Sequence, residues 1–407
     1  MQKTHKLVVI GGGAAGFFAA ITAAENNPHL KVTILEQGID VLGKVRISGG
    51  GRCNVTHACF DPKELIKFYP RGSKELLGSF YRFDCASTVD WFTQKGVALK
   101  TENDGRIFPV SDDSATIIDC LMQSAKQLGI TILKQAKVIR FETKPSLRIF
   151  FNEACLEVDY ILVASGSNPT LWKLLEKAGH SILTPVPSLF TFTIKDELIK
   201  GLEGISLPDC TVKISNTKYE ARGPVLITHW GLSGPGILKL SAFAAIELAA
   251  YNYQFPVYVN WINREKEDAT NILAEAKIQH AKKNIGNFSP FDIPSRFWNS
   301  LLNILSINPS KKYADTTKEE LQKIAVTLTT CLLNVSGKST HKEEFVTAGG
   351  IALKEVDFKT MESKIVPGLF FSGEVLDIDA VTGGFNFQAA WTTGYIAGSS
   401  IAEKSLA

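Results

Sequence analysis

Lys6-Leu7-Val8-Val9-Ile10-Gly11-Gly12-Gly13-Ala14-Ala15-Gly16 is the stretch whose reading decides the fold. The apolar run through Ile10 predicts a buried parallel strand. Gly11, Gly13 and Gly16 then fill the three glycine places of G-x-G-x-x-G. The first permits a tight turn, the second lets a pyrophosphate approach the backbone, and the third packs helix on strand. The Ala-rich segment from Ala14 to about Ala24 predicts a helix. Its first turn, at Ala14 and Ala15, offers N–H groups and a partial positive charge to phosphate. A second apolar run, Val32 to Leu35, ends at Glu36 and Gln37. Glu36 lies about 20 residues beyond Gly16, where an acid binds a ribose hydroxyl. Strand, turn, helix, strand and acid in that order predict a doubly wound α/β domain that holds a dinucleotide, either FAD or a nicotinamide.

The remainder of the chain narrows the choice. It has 407 residues, room for two or three domains, with 45% hydrophobic and 21% charged residues. Its net charge of +3 and lack of a basic run argue against a nucleic-acid partner. No stretch is apolar for long enough to span a membrane, and Met1 to Lys6 leads straight into the first strand with no signal peptide. Seven cysteines without a C-x-x-C pair fit reduced thiols in a cytoplasm. Seven histidines without ligand spacing predict no metal site.

Gly43-Lys44 leads to Ser48-Gly49-Gly50-Gly51-Arg52-Cys53-Asn54-Val55-Thr56. Such a run resists regular structure, and its glycines suit close backbone approach to something flat or charged. We expect a loop beneath a flavin ring and ribityl chain, with Gly51 in the loop, Arg52 and Asn54 as donors and Lys44 as a nearby charge. Cys53 reads equally as a packing residue or as a reactive thiol. Residues 61–95 read as helical, as do 114–128. Val138 is a candidate for adenine contact through its backbone. Tyr160 to Ala164 is a further buried strand, and its C-terminal loop, Ala164-Ser165-Gly166, falls in the crevice where doubly wound sheets bind ligands.

The texture changes at Pro185-Val186-Pro187. Residues 190–260 carry β-type runs and 261–340 read as mainly helical, with a capping box at Thr317 and Glu320. An insert over 190–340 therefore interrupts a domain made of 1–189 and 341–407. His229, in the glycine loop His229 to Gly236, is a candidate proton donor or acceptor on the substrate side. The chain then returns through Gly368 to Ser372 and Gly373-Glu374, with Asp377 following, and Gly383-Gly384-Phe385-Asn386 enters a final helix. A late acid suits a ribityl hydroxyl or a flavin phosphate. A helix N-terminus at a flavin pyrimidine favours the reduced ring. A nicotinamide-only dehydrogenase has no need of this return, so FAD is the expected cofactor.

These motifs run through almost the whole length, and with them the chain resembles bacterial FAD-binding flavoproteins that include aminoacetone oxidase and a bile-acid enone reductase. Gly11 to Gly16, Gly43-Lys44 with Ser48 to Thr56, Gly105 to Ser111, Thr228-His229 with Gly231 to Pro235, Val346 to Gly350 and Gly368 to Gln388 carry the resemblance. It implies a three-layer, Rossmann-like FAD domain, an insert with a β-barrel-like part and a helical part, and non-covalent FAD. The expected activity is hydride transfer between a small organic substrate and flavin N5, with His229 and Arg52 as catalytic candidates. No second G-x-G-x-x-G follows a strand, so either NAD(P)H docks transiently on the flavin face as reductant or the reductive substrate is not a nicotinamide, and oxidase and NAD(P)H-dependent reductase both stay open. The alternatives are a flavin-dependent RNA-modifying protein and a non-catalytic flavin redox sensor. The oligomeric state is left open.

Overall fold

The computed structural model describes residues 4–339 and 346–407. The chain divides into two compact units, Met1–Val186 with Lys342–Ala407, and Pro187–His341. The expected boundary at 340 and 341 lies outside the described residues.

The first unit is built on a parallel sheet. Its elements are β1 (Lys6–Ile10), helix α1 (Ala14–Asn26), β2 (Lys31–Leu35), β3 (Thr131–Leu133), β4 (Tyr160–Val163), β5 (Leu369–Phe371) and the long helix α2 (Phe385–Leu406). The five strands run parallel in the order β5-β4-β1-β2-β3. Short antiparallel strands Glu362–Ser363 and Val356–Asp357 extend the sheet beyond β5. β1 is central, and Leu7 to Ile10 are all buried, which is why the run carries no polar alternation. The strand before the insert, Ile182–Pro187, pairs with the strand after it, Thr347–Ile351. The return is therefore delivered beside the point of departure.

Helix α2 lies against α1 through glycine. A Cβ on Gly394 would sit 2.9 Å from Ala15 O, and one on Gly398 would sit 2.4 Å from Ala19 O. Only glycine on one side and alanine on the other let the two backbones come this close. That packing fixes where the N-terminus of α2 points.

The second unit is a closed six-stranded barrel. Around it run Thr191–Ile194, Gly231–Ser233, Glu220–Thr228, Ser206–Ile214, Phe255–Asn260 and Cys331–Ser339, the last pairing with the first. Its core joins barrel side chains such as Phe192, Val212 and Val257 to Trp298, Leu301 and Leu328 of the accompanying helices. The capping box at Thr317 and Glu320 is present at the head of Lys318–Thr329. A Rossmann-like domain interrupted by a barrel-plus-helices insert is thus the architecture.

Two expectations are corrected. The helix over 61–95 is three helices, Pro62–Leu65, Ser73–Phe80 and Cys85–Gln94. Pro70 and Gly72 break the first junction, Gly72 at φ +78° against Ile378, and Asp84 caps the third helix. The helical reading of 261–340 also fails at its end, where Cys331–Ser339 closes the barrel. Cys331, Leu333 and Val335 point inward and Leu332, Asn334 and Ser336 outward, a period of two and not 3.6.

Candidate cofactor-binding site

The three motif glycines have different surroundings. A Cβ on Gly11, which has φ +114°, would lie 2.4 Å from Ala164 O, and one on Gly16 would lie 2.0 Å from Gly11 O. A Cβ on Gly13 would meet nothing within 4 Å. Gly11 and Gly16 are therefore required by packing, whereas Gly13 faces open space at the head of α1. No side chain caps that helix, so Ala14 and Ala15 open its first turn beside an uncovered cradle.

Glu36 leaves the end of β2 and folds back over the turn. Its Oε2 accepts from Gly12 N–H (2.8 Å) and its Oε1 from Gly38 N–H (2.7 Å). Its own carbonyl accepts from Ala136 N–H (2.8 Å), so the segment leading to Val138 begins against Glu36. Val138 itself is buried in a separate three-stranded antiparallel sheet. Gln37 is exposed and accepts from Asn168 Nδ2 (3.2 Å).

Glu374 gathers the segments that sequence places far apart. Lys44 Nζ lies 2.6 Å from its Oε2, Thr347 N–H donates to its Oε1 (3.0 Å), and the Cβ position of Gly166 is 3.6 Å from it. Gly373, at φ +73°, brings its own Cβ position within 2.8 Å of Ala15 Cβ. The loop ends of β1, β4 and β5 thus meet in one place. Two hydroxyls here, Ser165 Oγ and Thr347 Oγ1, are buried with no hydrogen-bond partner. Asp377 is buried and accepts from Gly349 N–H (2.9 Å), and desolvation raises its carboxyl above the ordinary range.

The Ser48–Thr56 loop meets the head of α2. With its amide oriented to satisfy both ends, Asn54 Oδ1 accepts from Gly384 N–H (2.9 Å) while Nδ2 donates to Thr56 O (3.0 Å). Asn54 is therefore a brace for the helix head, and not a free donor. Asn386 likewise closes its own loop, its amide exchanging hydrogen bonds with Ala380 N–H (2.9 Å) and O (3.0 Å). Behind them Gln388 is fully buried, its Oε1 accepting from Thr56 (2.6 Å) and Thr88 (2.9 Å). Around Gly43, Gly50 and Gly51, as at Gly13, an added Cβ would meet nothing within 4 Å.

Arg52 is not a free donor either. Its guanidinium pairs with Glu102 (2.7 Å) and Asp112 (3.4 Å) and stacks 4.0 Å over Phe108. Cys53 is fully buried at φ +60°, and burial pushes its thiol up to about 12. It is a packing residue. His229 lies in the second unit, exposed at the turn between Glu220–Thr228 and Gly231–Ser233.

Sequence reasoning passed over His57. Its ring stacks on Phe385 (4.6 Å), which stacks on Phe68 (4.2 Å). Nε2 donates to Asp104 O (3.1 Å), leaving Nδ1 buried and without a partner. Desolvation lowers its pKa below the ordinary histidine value. The only signal in the sequence was position, directly after the Arg52-Cys53-Asn54 loop. Among the described residues, no group of three or more His, Cys, Asp or Glu could hold a metal ion, and no helix is long and apolar enough to cross a membrane.

The open cradle at Gly13, the acid at Glu36 and the orphaned hydroxyls at Ser165 and Thr347 fit a dinucleotide lying across the ends of β1 and β4. Comparison with known proteins agrees in kind. The HI0933-like protein Rossmann domain matches residues 5–400. The ribosomal RNA dihydrouridine synthase of Escherichia coli K12 is 27% identical over 98% of both chains. The 3-dehydro-bile acid delta(4,6)-reductase of Clostridium scindens is 25% identical over 98% of this chain and 100% of that protein. Among solved structures, the open form of a flavocytochrome c3 fumarate reductase superposes with a TM-score of 0.52 at 14% identity. It covers all of this chain and 79% of that one, a likeness of fold.

Proposed function

The chain belongs to the HI0933-like family, and from that footing we propose that it is an FAD-dependent oxidoreductase that moves a hydride between an organic substrate and the flavin. The observation that carries the reading is the contrast at the glycine turn. Packing demands Gly11 and Gly16, while Gly13 has nothing against it but space. FAD would supply the hydride acceptor and donor at N5 of its ring.

The chain's own groups would do the rest. Gly13, Ala14 and Ala15 would receive the pyrophosphate at the helix head, and Glu36 would exchange its Gly12 contact for ribose hydroxyls. Ser165, Gly166, Gly373 and Glu374 would line the ribityl side, with Lys44 held there by Glu374. Gly383, Gly384 and Phe385, braced by Asn54, would set the head of α2 toward the ring, where its dipole favours negative charge. NAD(P)H would reduce the flavin from solution. Arg52, already paired with two acids, would support the loop. Burial of Cys53 speaks against a thiol-based redox sensor.

The test is anaerobic. The oxidised protein is mixed with NADPH, NADH and a panel of amines, and bleaching of the flavin absorbance is followed. Bleaching by one reductant with reoxidation by an acceptor supports the reading. A bound flavin that no two-electron donor reduces overturns it.

A second reading has its own support. The E. coli relative, matched end to end, carries the name of an enzyme that acts on ribosomal RNA. In that reading the hydride goes to a pyrimidine base in RNA, and the same flavin site serves.

A further inference from the structure

Charge in the insert is concentrated. Between Glu275 and Asp315 the chain holds six bases, Lys277, Lys282, Lys283, Arg296, Lys311 and Lys312, and one acid, Asp292. No run along the chain shows this, because the lysines come as two separate dipeptides. The fold brings the backbones of the two dipeptides together. Tyr313 N–H donates to Lys283 O (3.0 Å), Ala314 N–H to Ala281 O (3.1 Å), Ile285 N–H to Lys311 O (2.8 Å) and Gly286 N–H to Pro309 O (2.9 Å). Asn284 and Lys312 form an antiparallel bridge within that pairing.

Half of these bases are occupied. Lys277 Nζ donates to Thr316 O (2.6 Å), Arg296 to Gly201 O (2.6 Å), and Lys311 pairs with Glu320 (2.8 Å). Lys282, Lys283 and Lys312 are exposed, and none of them enters an ion pair among the described residues. Lys283 is steadied without being neutralised, its ammonium 4.8 Å over the Phe288 ring. Phe288 is held in turn by the ring of His280 (4.1 Å) and by Tyr313, whose hydroxyl donates to Phe288 O (2.8 Å). Lys282, Lys283 and Lys312 thus offer exposed positive charge around one backbone pairing, where it would attract a polyanion.

We infer that this strip is a docking surface for the phosphate backbone of RNA. The inference deepens the second reading of function, in which the substrate is a base in RNA, and rests on it. Phosphate contacts of this kind fix register and orientation and leave base selection to the catalytic site.

The test is fluorescence anisotropy of a labelled RNA stem-loop with the flavin-loaded protein across a salt series. Arms with a DNA stem-loop and with phosphatidylserine vesicles run alongside. Each neutralised phosphate contributes about 0.9 to the slope of log affinity against log salt on duplex and about 0.7 on single strands. The triple variant Lys282→Ala, Lys283→Ala, Lys312→Ala is expected to lower the slope by about 2 and to weaken binding at least tenfold, with flavin content unchanged. The triple Lys→Arg variant is expected to bind as wild type does. RNA binding with unaltered slope in the alanine variant overturns the docking surface and leaves the RNA reading standing. Absence of RNA binding by the wild-type protein overturns both, and so does binding to vesicles but not to RNA. Flavin content, read separately, decides the cofactor assignment whichever result is found.

Discussion

Glu36 Oε2 accepts a hydrogen bond from Gly12 N–H at 2.8 Å, so the acid at the end of the second strand already sits on the glycine turn after the first. This is the geometry a ribose hydroxyl would enter. Glu36→Gln removes the charge and keeps the shape. A hydrogen bond to a charged group is worth about 1.5–3 kcal/mol, so FAD affinity should fall by about ten- to a hundredfold with the fold intact. Titration of apoprotein with FAD, followed by flavin fluorescence, checks this. Equal affinity in the variant would mean that the acid serves only the turn.

Gly13 and Gly16 should respond oppositely to the same substitution. Gly16→Val drives a branched side chain into Gly11 O, which a Cβ alone would approach to 2.0 Å. That variant is expected to fail to fold. Gly13→Val meets no protein atom within 4 Å at its Cβ, so it should keep the wild-type melting temperature without ligand and lose FAD. A Gly13→Val protein that retains FAD would remove the pyrophosphate from this turn.

Thiol chemistry should bypass the conspicuous cysteine. Cys53 is buried with its thiol pushed up to about 12, whereas Cys155 is exposed. A thiol reagent at neutral pH should label Cys155 first and leave Cys53 unmodified until unfolding, read by peptide mass analysis. Rapid labelling of Cys53 in native protein would contradict the packing role.

The buried network at Gln388 is expected to matter for stability more than for chemistry. Gln388→Leu strands the Thr56 hydroxyl in a dry interior, while the Thr88 hydroxyl keeps Asp84 O (3.1 Å) as acceptor. An unsatisfied buried group costs about 1–3 kcal/mol, so denaturant unfolding should show a loss of about that size. A loss below about 1 kcal/mol would mean that the Thr56 hydroxyl finds another partner.

Two histidines give a pH dependence with a definite sign. Burial lowers the pKa of His57 and of His180 below the ordinary 6.5. The unfolded chain therefore binds protons first. Their contribution to stability is complete above about pH 6.5 and declines as pH falls toward the folded values. The charged groups nearest them are Asp104 and Arg106 for His57 and Glu355 for His180. Replacing both histidines by Phe should flatten the stability profile below pH 6.5. An unchanged slope would place the acid sensitivity in the carboxylates.

The first thirty-six residues were legible because everything they need is local. An apolar run, three glycines at fixed offsets and an acid at the next strand end specify strand, turn and helix together and mark where the candidate site lies. The same holds for Thr317 and Glu320, a cap made within four residues. What escaped the sequence depends on partners far along the chain. Arg52 looks like a donor to a ligand until Glu102 and Asp112 fold beside it. Asn54 looks the same until Gly384 arrives. Cys331–Ser339 continues the composition of a helical stretch, and only barrel closure against Thr191–Ile194 makes its alternation decisive. The lysine cluster escapes a short window of sequence because backbone pairing brings its two dipeptides together.

The central claim is that FAD occupies the cradle at Gly13. The direct measurement is release of the chromophore from purified protein by acid, with its identity read by chromatography and its amount compared with chain concentration. The account predicts a yellow protein that yields FAD at one molecule per chain, and a Gly13→Val protein that yields none. A colourless protein that takes up no FAD, or one that releases FMN or a nicotinamide instead, would contradict it.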